Sequence, residues 1–187
     1  MTIGILAFQG NVAEHRQMIA LLGKEAIDVR SVADAQTVTH LIIPGGESTV
    51  IARFLEQSGV GALIQEKVKN HQLAVFGTCA GAIVLATTAS GKNAPQPLKL
   101  IDIDVSRNAY GSQIDSFESE LSVTGIDKPV HVSFIRAPQI TRVGETCRTL
   151  ATYKNMPVIV QSNRILVSTC HPELRSDPQL HAFFLTI

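Results

Sequence analysis

The stretch Ala74-Val-Phe-Gly-Thr-Cys-Ala-Gly-Ala-Ile-Val-Leu-Ala86 decides how the rest of the chain is organised. An apolar run at residues 73–76 has the length of a buried strand, and a second run at residues 82–86 predicts the first turns of a buried helix. Small residues on both sides of Cys79 allow a sharp turn between them and close packing of the helix on the strand. The same arrangement with serine in place of cysteine is a nucleophile elbow.

Cys79 is therefore a candidate nucleophile. The turn directs its sulfur beyond the end of the strand, and the N-terminus of the following helix stabilises a thiolate. The alternative is that Cys79 is a small buried hydrophobic residue, as most free cysteines are. Its place between Gly-Thr and Ala-Gly favours the nucleophile, which needs a base from elsewhere in the chain.

Composition limits the class of protein. The 187 residues carry 16 basic and 16 acidic side chains and are 45% hydrophobic, so neither nucleic acid nor an anionic membrane is expected as a partner. No apolar run reaches the roughly 20 residues of a membrane helix, and the first residues resemble no signal peptide. Three cysteines are too few for a disulfide scaffold, so we expect a cytoplasmic protein with a single domain over residues 1–187.

The first half of the chain alternates strands and helices. Strands are predicted at residues 2–8, 27–32, 41–43 and 73–76, and helices at residues 12–22, which Asn11 would cap, 48–57 and 60–70. This order predicts a doubly wound, three-layer α/β fold, in which ligands lie beyond the C-terminal ends of the strands of a mostly parallel central sheet. Gln9, the loop Gly45-Gly46-Glu47 and Cys79 each follow a strand, so we expect them to meet at one edge.

The second half is richer in short strands. They are predicted at residues 100–106, 121–124, 130–134, 148–153, 157–162 and 164–170, before a closing helix at residues 177–185. We expect some of them to be antiparallel strands added to the parallel sheet.

The candidate base is His171, in the segment Ser168-Thr-Cys-His-Pro-Glu-Leu174 after the last apolar strand. Pro172 keeps this segment out of a regular helix, so Glu173 can hold the tautomer and orientation of the imidazole. A lone histidine is more often a surface or core residue, and His15 is expected on a helix face that meets a partner or solvent. Cys170 beside His171 could suggest a metal site, but no further Cys or His clusters with them, so neither a metal nor a cofactor is predicted.

The elbow and the His-Pro-Glu segment together resemble the triad, or class I, glutamine amidotransferases. More narrowly, the chain resembles the glutaminase subunits of pyridoxal 5′-phosphate synthase from residue 3 to the C-terminus. The segments that carry this resemblance are Gly4-Ile-Leu-Ala-Phe-Gln-Gly10, Ala13-Glu-His15, Pro44-Gly-Gly-Glu-Ser-Thr49, Arg107-Asn-Ala-Tyr-Gly111, Asp115-Ser-Phe-Glu118, Phe134-Ile-Arg-Ala-Pro138 and Cys170-His-Pro-Glu-Leu174.

The resemblance implies a role for each matching residue. Cys79 would attack the side-chain amide of L-glutamine, with His171 as proton carrier and Glu173 as its orienting carboxylate. Backbone N–H groups of Gly46 and Ala80 would form the oxyanion hole. The residues implied in substrate binding are Gly46, Glu47, Ser48, Arg107, Ile135 and Arg136, with the arginines facing the α-carboxylate and Glu47 the ammonium group.

For several of these residues the sequence alone favours a plainer interpretation. Each arginine would form a surface ion pair, and Glu47-Ser48 would cap a helix. Gln9 could line the path of ammonia, help to order the oxyanion strand, or be no more than a polar strand end.

The resemblance also implies a partner. The ammonia would pass to a (β/α)₈-barrel synthase subunit in a hetero-oligomer, since the chain carries no recognisable phosphate-binding or barrel segment. Two alternatives stay open. One is a glutaminase that serves a different acceptor, and the other is a cysteine hydrolase or silent binding subunit of similar topology.

Overall fold

The computed structural model describes residues 1–107 and 116–187. Its helices are α1 Val12–Leu21, α2 Val32–Thr37, α3 Ser48–Gln57, α4 Val60–Lys69, α5 Ala80–Leu85 and α6 Gln179–Phe184, with a 3₁₀ turn at Pro172–Leu174. Its strands are β1 Ile3–Leu6, β2 Ala26–Val29, β3 His40–Ile43, β4 Ala74–Thr78, β5 Ala86–Ser90, β6 Ile101–Ser106, β7 Phe117–Leu121, β8 Val130–Phe134, β9 Gln139–Val143, β10 Arg148–Tyr153, β11 Met156–Ser162 and β12 Ile165–Ser168.

The central sheet has the strand order β10-β11-β12-β4-β3-β1-β2. The five strands from β12 to β2 run parallel, whereas β11 and β10 are antiparallel additions at one edge. Because the chain moves from β1 to β2 on one side and from β3 to β4 on the other, the order reverses between β1 and β3. A crevice at such a point is where open α/β sheets bind ligands.

Helices and small sheets cover both faces of the central sheet. Alternate strand residues face opposite ways, so Val75 and Ile43 join a cluster with α2 to α5 and the β5-β6-β9 sheet. Phe76 and Ile42 join the opposite cluster, with α1, α6 and the β7-β8 pair. The predicted three-layer fold, with a mostly parallel sheet and added antiparallel strands, is confirmed. None of the described helices is long and apolar enough to cross a membrane.

Several predictions of helix and strand bounds were wrong. The strand predicted at residues 27–32 ends at Val29, because the side chains of Ser31 and Asp34 form a capping box that starts α2. The helix after Cys79 ends before Ala86, where β5 begins. The strand predicted at residues 121–124 lies earlier in the chain, as β7 Phe117–Leu121, because these are the residues that pair with β8. The strands β5 and β9 were not predicted at all.

Candidate active site

The turn at Cys79 has the geometry of a nucleophile elbow. Cys79 lies between β4 and α5 with φ 48° and ψ −100°, a conformation that non-glycine residues rarely adopt and that costs on the order of 1–3 kcal/mol. Its N–H donates to the carbonyl of Ser168 on the neighbouring strand at 2.8 Å. A Cβ atom on Gly81 would lie 2.2 Å from the carbonyl oxygen of Ile43, so only glycine lets α5 approach the sheet this closely.

His171 and Glu173 reach Cys79 because β12 runs parallel to β4 and pairs with it. His171 is held by two backbone hydrogen bonds to Ser133, the shorter being 2.8 Å. Its Nδ1 donates to Oε1 of Glu173 at 2.7 Å, and both side chains are buried. The structure thus brings together the three residues that the sequence predicts as a catalytic triad.

The environment of this pair favours its charged form. Burial alone would lower the pKa of His171, but the hydrogen bonds to Cys79 and Glu173 outweigh it and raise the pKa to about 10. Burial alone would raise the pKa of Glu173, but the hydrogen bonds from His171 and Asn11, together with the charge of His171, outweigh it and lower the pKa to about 2. At neutral pH the imidazole is therefore protonated and the carboxylate ionised.

Asn11 belongs to this site, although the sequence suggested a different role. Asn11 is the N-cap residue of α1, as predicted, but its side chain makes no capping hydrogen bond. Its Nδ2 donates instead to Oε1 of Glu173 at 3.0 Å. Nothing local in the sequence signals this contact, which joins residues at opposite ends of the chain.

The loop after β3 lies against two of the predicted catalytic side chains, those of Cys79 and His171. A Cβ atom on Gly45 would come 2.4 Å from Cε1 of His171 and 3.4 Å from Cβ of Cys79. The Gly45 carbonyl accepts the N–H of Asn11 at 3.2 Å. Because a trans peptide directs its C=O and N–H in opposite directions, this bond also sets the direction of the Gly46 N–H. The roles of Gly46 and Ala80 as oxyanion donors stay predictions.

Gln9 and Gly10 support this loop from the end of β1. The side-chain oxygen of Gln9 accepts the N–H of Glu47 at 2.9 Å, so the interpretation that Gln9 orders the loop is the one that matches its contacts. Gly10 has φ 106°, and a Cβ atom there would lie 1.8 Å from the Gly45 carbonyl oxygen. Only glycine fits at that position.

The predicted substrate residues Glu47 and Arg107 form an ion pair, with Oε1 of Glu47 2.9 Å from the Arg107 guanidinium. Glu47 also accepts the N–H and hydroxyl of Thr49 at 3.3 and 2.8 Å and so caps α3. The hydrogen bonds from Thr49 and the charge of Arg107 hold the pKa of Glu47 below its ordinary value. Ser48 is buried, and its hydroxyl has no hydrogen-bond partner among the described residues.

Ile135 and Arg136 follow β8, the strand that carries Ser133 and so contacts His171. Both are exposed, with Ile135 at 37%, and Arg136 has φ 46°. Residues 108–111 and 115, which belong to two of the motifs quoted above, lie outside the described part of the chain.

His15 is not on a partner-facing or solvated surface, so that expectation was wrong. It is fully buried, with Nε2 3.1 Å from the hydroxyl of Thr78 and Nδ1 2.9 Å from Nε2 of His181. Burial lowers the pKa of His15 and lowers that of His181 to about 3, so both are neutral at pH 7. Helical spacing cannot identify such a position, because α1 is weakly amphipathic and the contacts come from β4 and α6.

Comparison with known proteins agrees with this geometry. The model of the SNO glutamine amidotransferase family matches residues 5–187. Proteins named pyridoxal 5′-phosphate synthase subunit PdxT are 43% identical over 185 residues in a strain of Thermus thermophilus and 47% identical over 191 residues in Deinococcus radiodurans. Each alignment covers 99% of this chain and 96% of the relative.

Comparison with solved structures also agrees with this geometry. One described as a glutamine amidotransferase superposes with a TM-score of 0.94 at 41% identity, covering 100% of this chain and 98% of the other. PurLQS from Thermotoga maritima shares the fold, with a TM-score of 0.70 at 12% identity, and the superposition covers 99% of this chain and 97% of that one.

Proposed function

The chain belongs to the SNO glutamine amidotransferase family, and we propose that Cys79, His171 and Glu173 hydrolyse L-glutamine to L-glutamate and ammonia. The chain acts as the glutaminase subunit of pyridoxal 5′-phosphate synthase, in the pathway of vitamin B6. The observation that carries the catalytic assignment is the placement of Cys79 and His171 against the same residue, Gly45, with His171 hydrogen-bonded to Glu173, at the ends of two adjacent parallel strands.

In the first half of the reaction, the Cys79 thiolate attacks the side-chain amide carbon of glutamine. The carbonyl oxygen becomes an oxyanion, for which Gly46 and Ala80 supply backbone N–H donors, each worth about 3–4 kcal/mol of barrier. Protonated His171 gives its Nε2 proton to the departing nitrogen, and the C–N bond breaks. Ammonia leaves, and a glutamyl thioester remains on Cys79.

In the second half, neutral His171 takes a proton from water, and the resulting hydroxide attacks the thioester carbon. The C–S bond then breaks, glutamate departs, and the thiolate and imidazolium are restored. Glu173 keeps Nδ1 protonated throughout, so that Nε2 is the nitrogen that exchanges protons with the reacting groups.

The ion pair between Glu47 and Arg107 suits the recognition of an amino acid. A zwitterionic substrate carries one positive and one negative group on its α-carbon, which complement Glu47 and Arg107 respectively. Arg136 supplies a second cation for the α-carboxylate, while Ser48 and Ile135 complete the pocket. The substrate would have to separate the existing pair, in which the Glu47 side chain is 49% exposed and the Arg107 side chain 13% exposed.

A glutaminase of this kind requires its partner, the synthase subunit of the complex. Free ammonia is largely protonated in water at neutral pH and is then no nucleophile, so it has to reach the acceptor site before it equilibrates with solvent.

We assign the chain to the cytoplasm, because Cys79, Cys147 and Cys170 are all free thiols.

The test is reconstitution with the barrel synthase subunit, a pentose phosphate and a triose phosphate. We expect glutamate release from glutamine and formation of pyridoxal 5′-phosphate, with Cys79→Ala abolishing both. Ammonium salts should restore the second product only. Glutamate release without any gain in pyridoxal 5′-phosphate would mean that a different synthase is the acceptor, and no glutamate release would reject the assignment of Cys79.

A further inference from the structure

We propose that His15 is a positioning residue of the glutaminase reaction, which fixes the Gly45 amide beside Cys79 and His171 by orienting the hydroxyl of Thr78. This inference rests on the proposed function, because the reaction to be positioned is glutamine hydrolysis. His15 itself does not touch the reacting atoms.

Thr78 is the last residue of β4 before the elbow. Its Oγ1 accepts the N–H of Gly45 at 3.0 Å, and both groups are buried. Oγ1 of Thr78 can accept the Gly45 N–H only while its own hydroxyl hydrogen points in another direction. Among the described residues, the one acceptor within hydrogen-bond distance of the hydroxyl is Nε2 of His15, at 3.1 Å. His15 therefore determines the orientation of the Thr78 hydroxyl group.

The contacts of His15 also determine which of its ring nitrogens carries the proton. If Nε2 accepts from Thr78, the neutral imidazole carries its proton on Nδ1, where His181 Nε2 accepts it at 2.9 Å. The four groups then form a directed chain from the Gly45 N–H through Thr78 and His15 to His181. This tautomer leaves one buried polar group without a partner among residues 1–107 and 116–187, the Nδ1–H of His181. The opposite tautomer would leave two, the Thr78 hydroxyl hydrogen and the lone pair on His181 Nδ1, and each buried polar group without a partner costs about 1–3 kcal/mol.

The position of Gly45 affects the groups that carry out the reaction. Gly45 is held on both sides, since its N–H binds Thr78 and its carbonyl binds the N–H of Asn11. It packs directly against His171 and Cys79, with no space even for a methyl group. A displacement of Gly45 therefore moves the Gly46 donor relative to the sulfur. Errors of about 1 Å in such a position can cost about 100-fold in rate.

The experiment compares five proteins in the assembled complex with the synthase subunit: wild type, His15→Phe, His15→Gln, Thr78→Val, and the double variant His15→Phe with Thr78→Val. The concentration of folded active sites is taken from alkylation of Cys79 by a diazoketone analogue of glutamine. The matched control is His40→Phe, which replaces another buried histidine that contacts Thr39 and the Ile187 carbonyl instead of this network.

We expect His15→Phe and Thr78→Val each to lower kcat by about 10- to 100-fold, with KM for glutamine within about twofold of wild type. The double variant should lose no more than the worse single variant, because both act through one hydrogen-bond chain. His15→Gln should recover most of the rate, since its amide oxygen can accept from Thr78. Unchanged kcat per active site in His15→Phe, multiplied losses in the double variant, or an equal loss in His40→Phe would overturn the proposal.

A second measurement does not depend on activity. Long-range ¹H–¹⁵N spectra should show neutral His15 protonated at Nδ1, and His15→Phe should shift the Gly45 amide proton and speed its exchange with solvent. Protonation at Nε2, or an unmoved Gly45 amide, would reject the positioning role even in a chain that hydrolyses glutamine. If the wild-type complex releases no glutamate, the proposed function fails, whereas these spectra still decide how Gly45 is held.

Discussion

Replacing Glu173 by glutamine removes one buried charge from the site and leaves the shape of the side chain nearly unchanged. The new amide oxygen should take the place of Oε1, because Asn11 and His171 both donate to that position, at 3.0 and 2.7 Å. The new NH₂ group then replaces Oε2, which is buried and has no hydrogen-bond partner among the described residues. The His171 tautomer is preserved, and the charge that stabilises the imidazolium is lost.

The expected loss in rate follows from the pKa of His171, which stands at about 10 in place of its ordinary 6.5. At about 1.36 kcal/mol per unit of pKa, the surroundings stabilise the imidazolium by about 5 kcal/mol. Cys79 and Glu173 share this effect, so the carboxylate supplies about 2–3 kcal/mol, the usual range for a hydrogen bond to a charged group. We therefore expect Glu173→Gln to lower kcat by about 30- to 150-fold with KM for glutamine nearly unchanged.

Steady-state glutamate release from the complex measures kcat and KM. The double variant Glu173→Gln with Asn11→Ala is measured in the same way. Without Asn11 the amide can rotate and present NH₂ to Nδ1, and the wrong tautomer costs about 10⁴-fold in the serine proteases. The double variant should therefore lose far more rate than the two single losses combined. A raised KM with unchanged kcat in Glu173→Gln would place Glu173 in the substrate site and refute this reasoning.

Three further outcomes are expected. Cys79→Ser should abolish glutamine hydrolysis in a folded protein, whereas Cys147→Ser should be nearly silent; activity within about tenfold of wild type would remove Cys79 from the nucleophile role. His181, with a pKa of about 3, stays neutral in the folded state while the unfolded chain binds a proton below about pH 6.5. The free energy of unfolding should thus fall between pH 6.5 and 3, by at most about 1.36 kcal/mol per pH unit from this group, and urea denaturation should show a flatter profile for His181→Gln. The isolated chain should hydrolyse glutamine slowly and be activated by the synthase subunit, and equal rates with and without it would contradict coupled ammonia transfer.

Much of the parallel core was predictable because its signals are local. The strand β4 and the helices α3 and α4 are apolar runs or helical patterns bounded by glycine or by a capping residue. Prediction failed where a strand is half exposed. In β7 the charged Glu118 and Glu120 face outward, so its composition is unlike that of a buried strand, and its bounds are set by pairing with β8.

The sequence by itself determined which residues could do chemistry. The small residues around Cys79 predict a tight turn, and Pro172 keeps the segment from His171 to Glu173 out of a regular helix. Two short segments were therefore enough to identify the candidate nucleophile, base and orienting carboxylate. These properties depend on neighbours in the chain, and the structure brings the three segments together as expected.

Only the tertiary structure decided what surrounds them. Asn11 was predicted to cap a helix and His15 to lie on a surface, because the residues next to them in the chain do not show which distant residues pack against them. Pairing of β12 with β4 brings Glu173 to Asn11, and packing of α1 between β4 and α6 buries His15 between Thr78 and His181. Such contacts join residues far apart in the chain, so they exist only after the sheet has formed, and no local pattern records them.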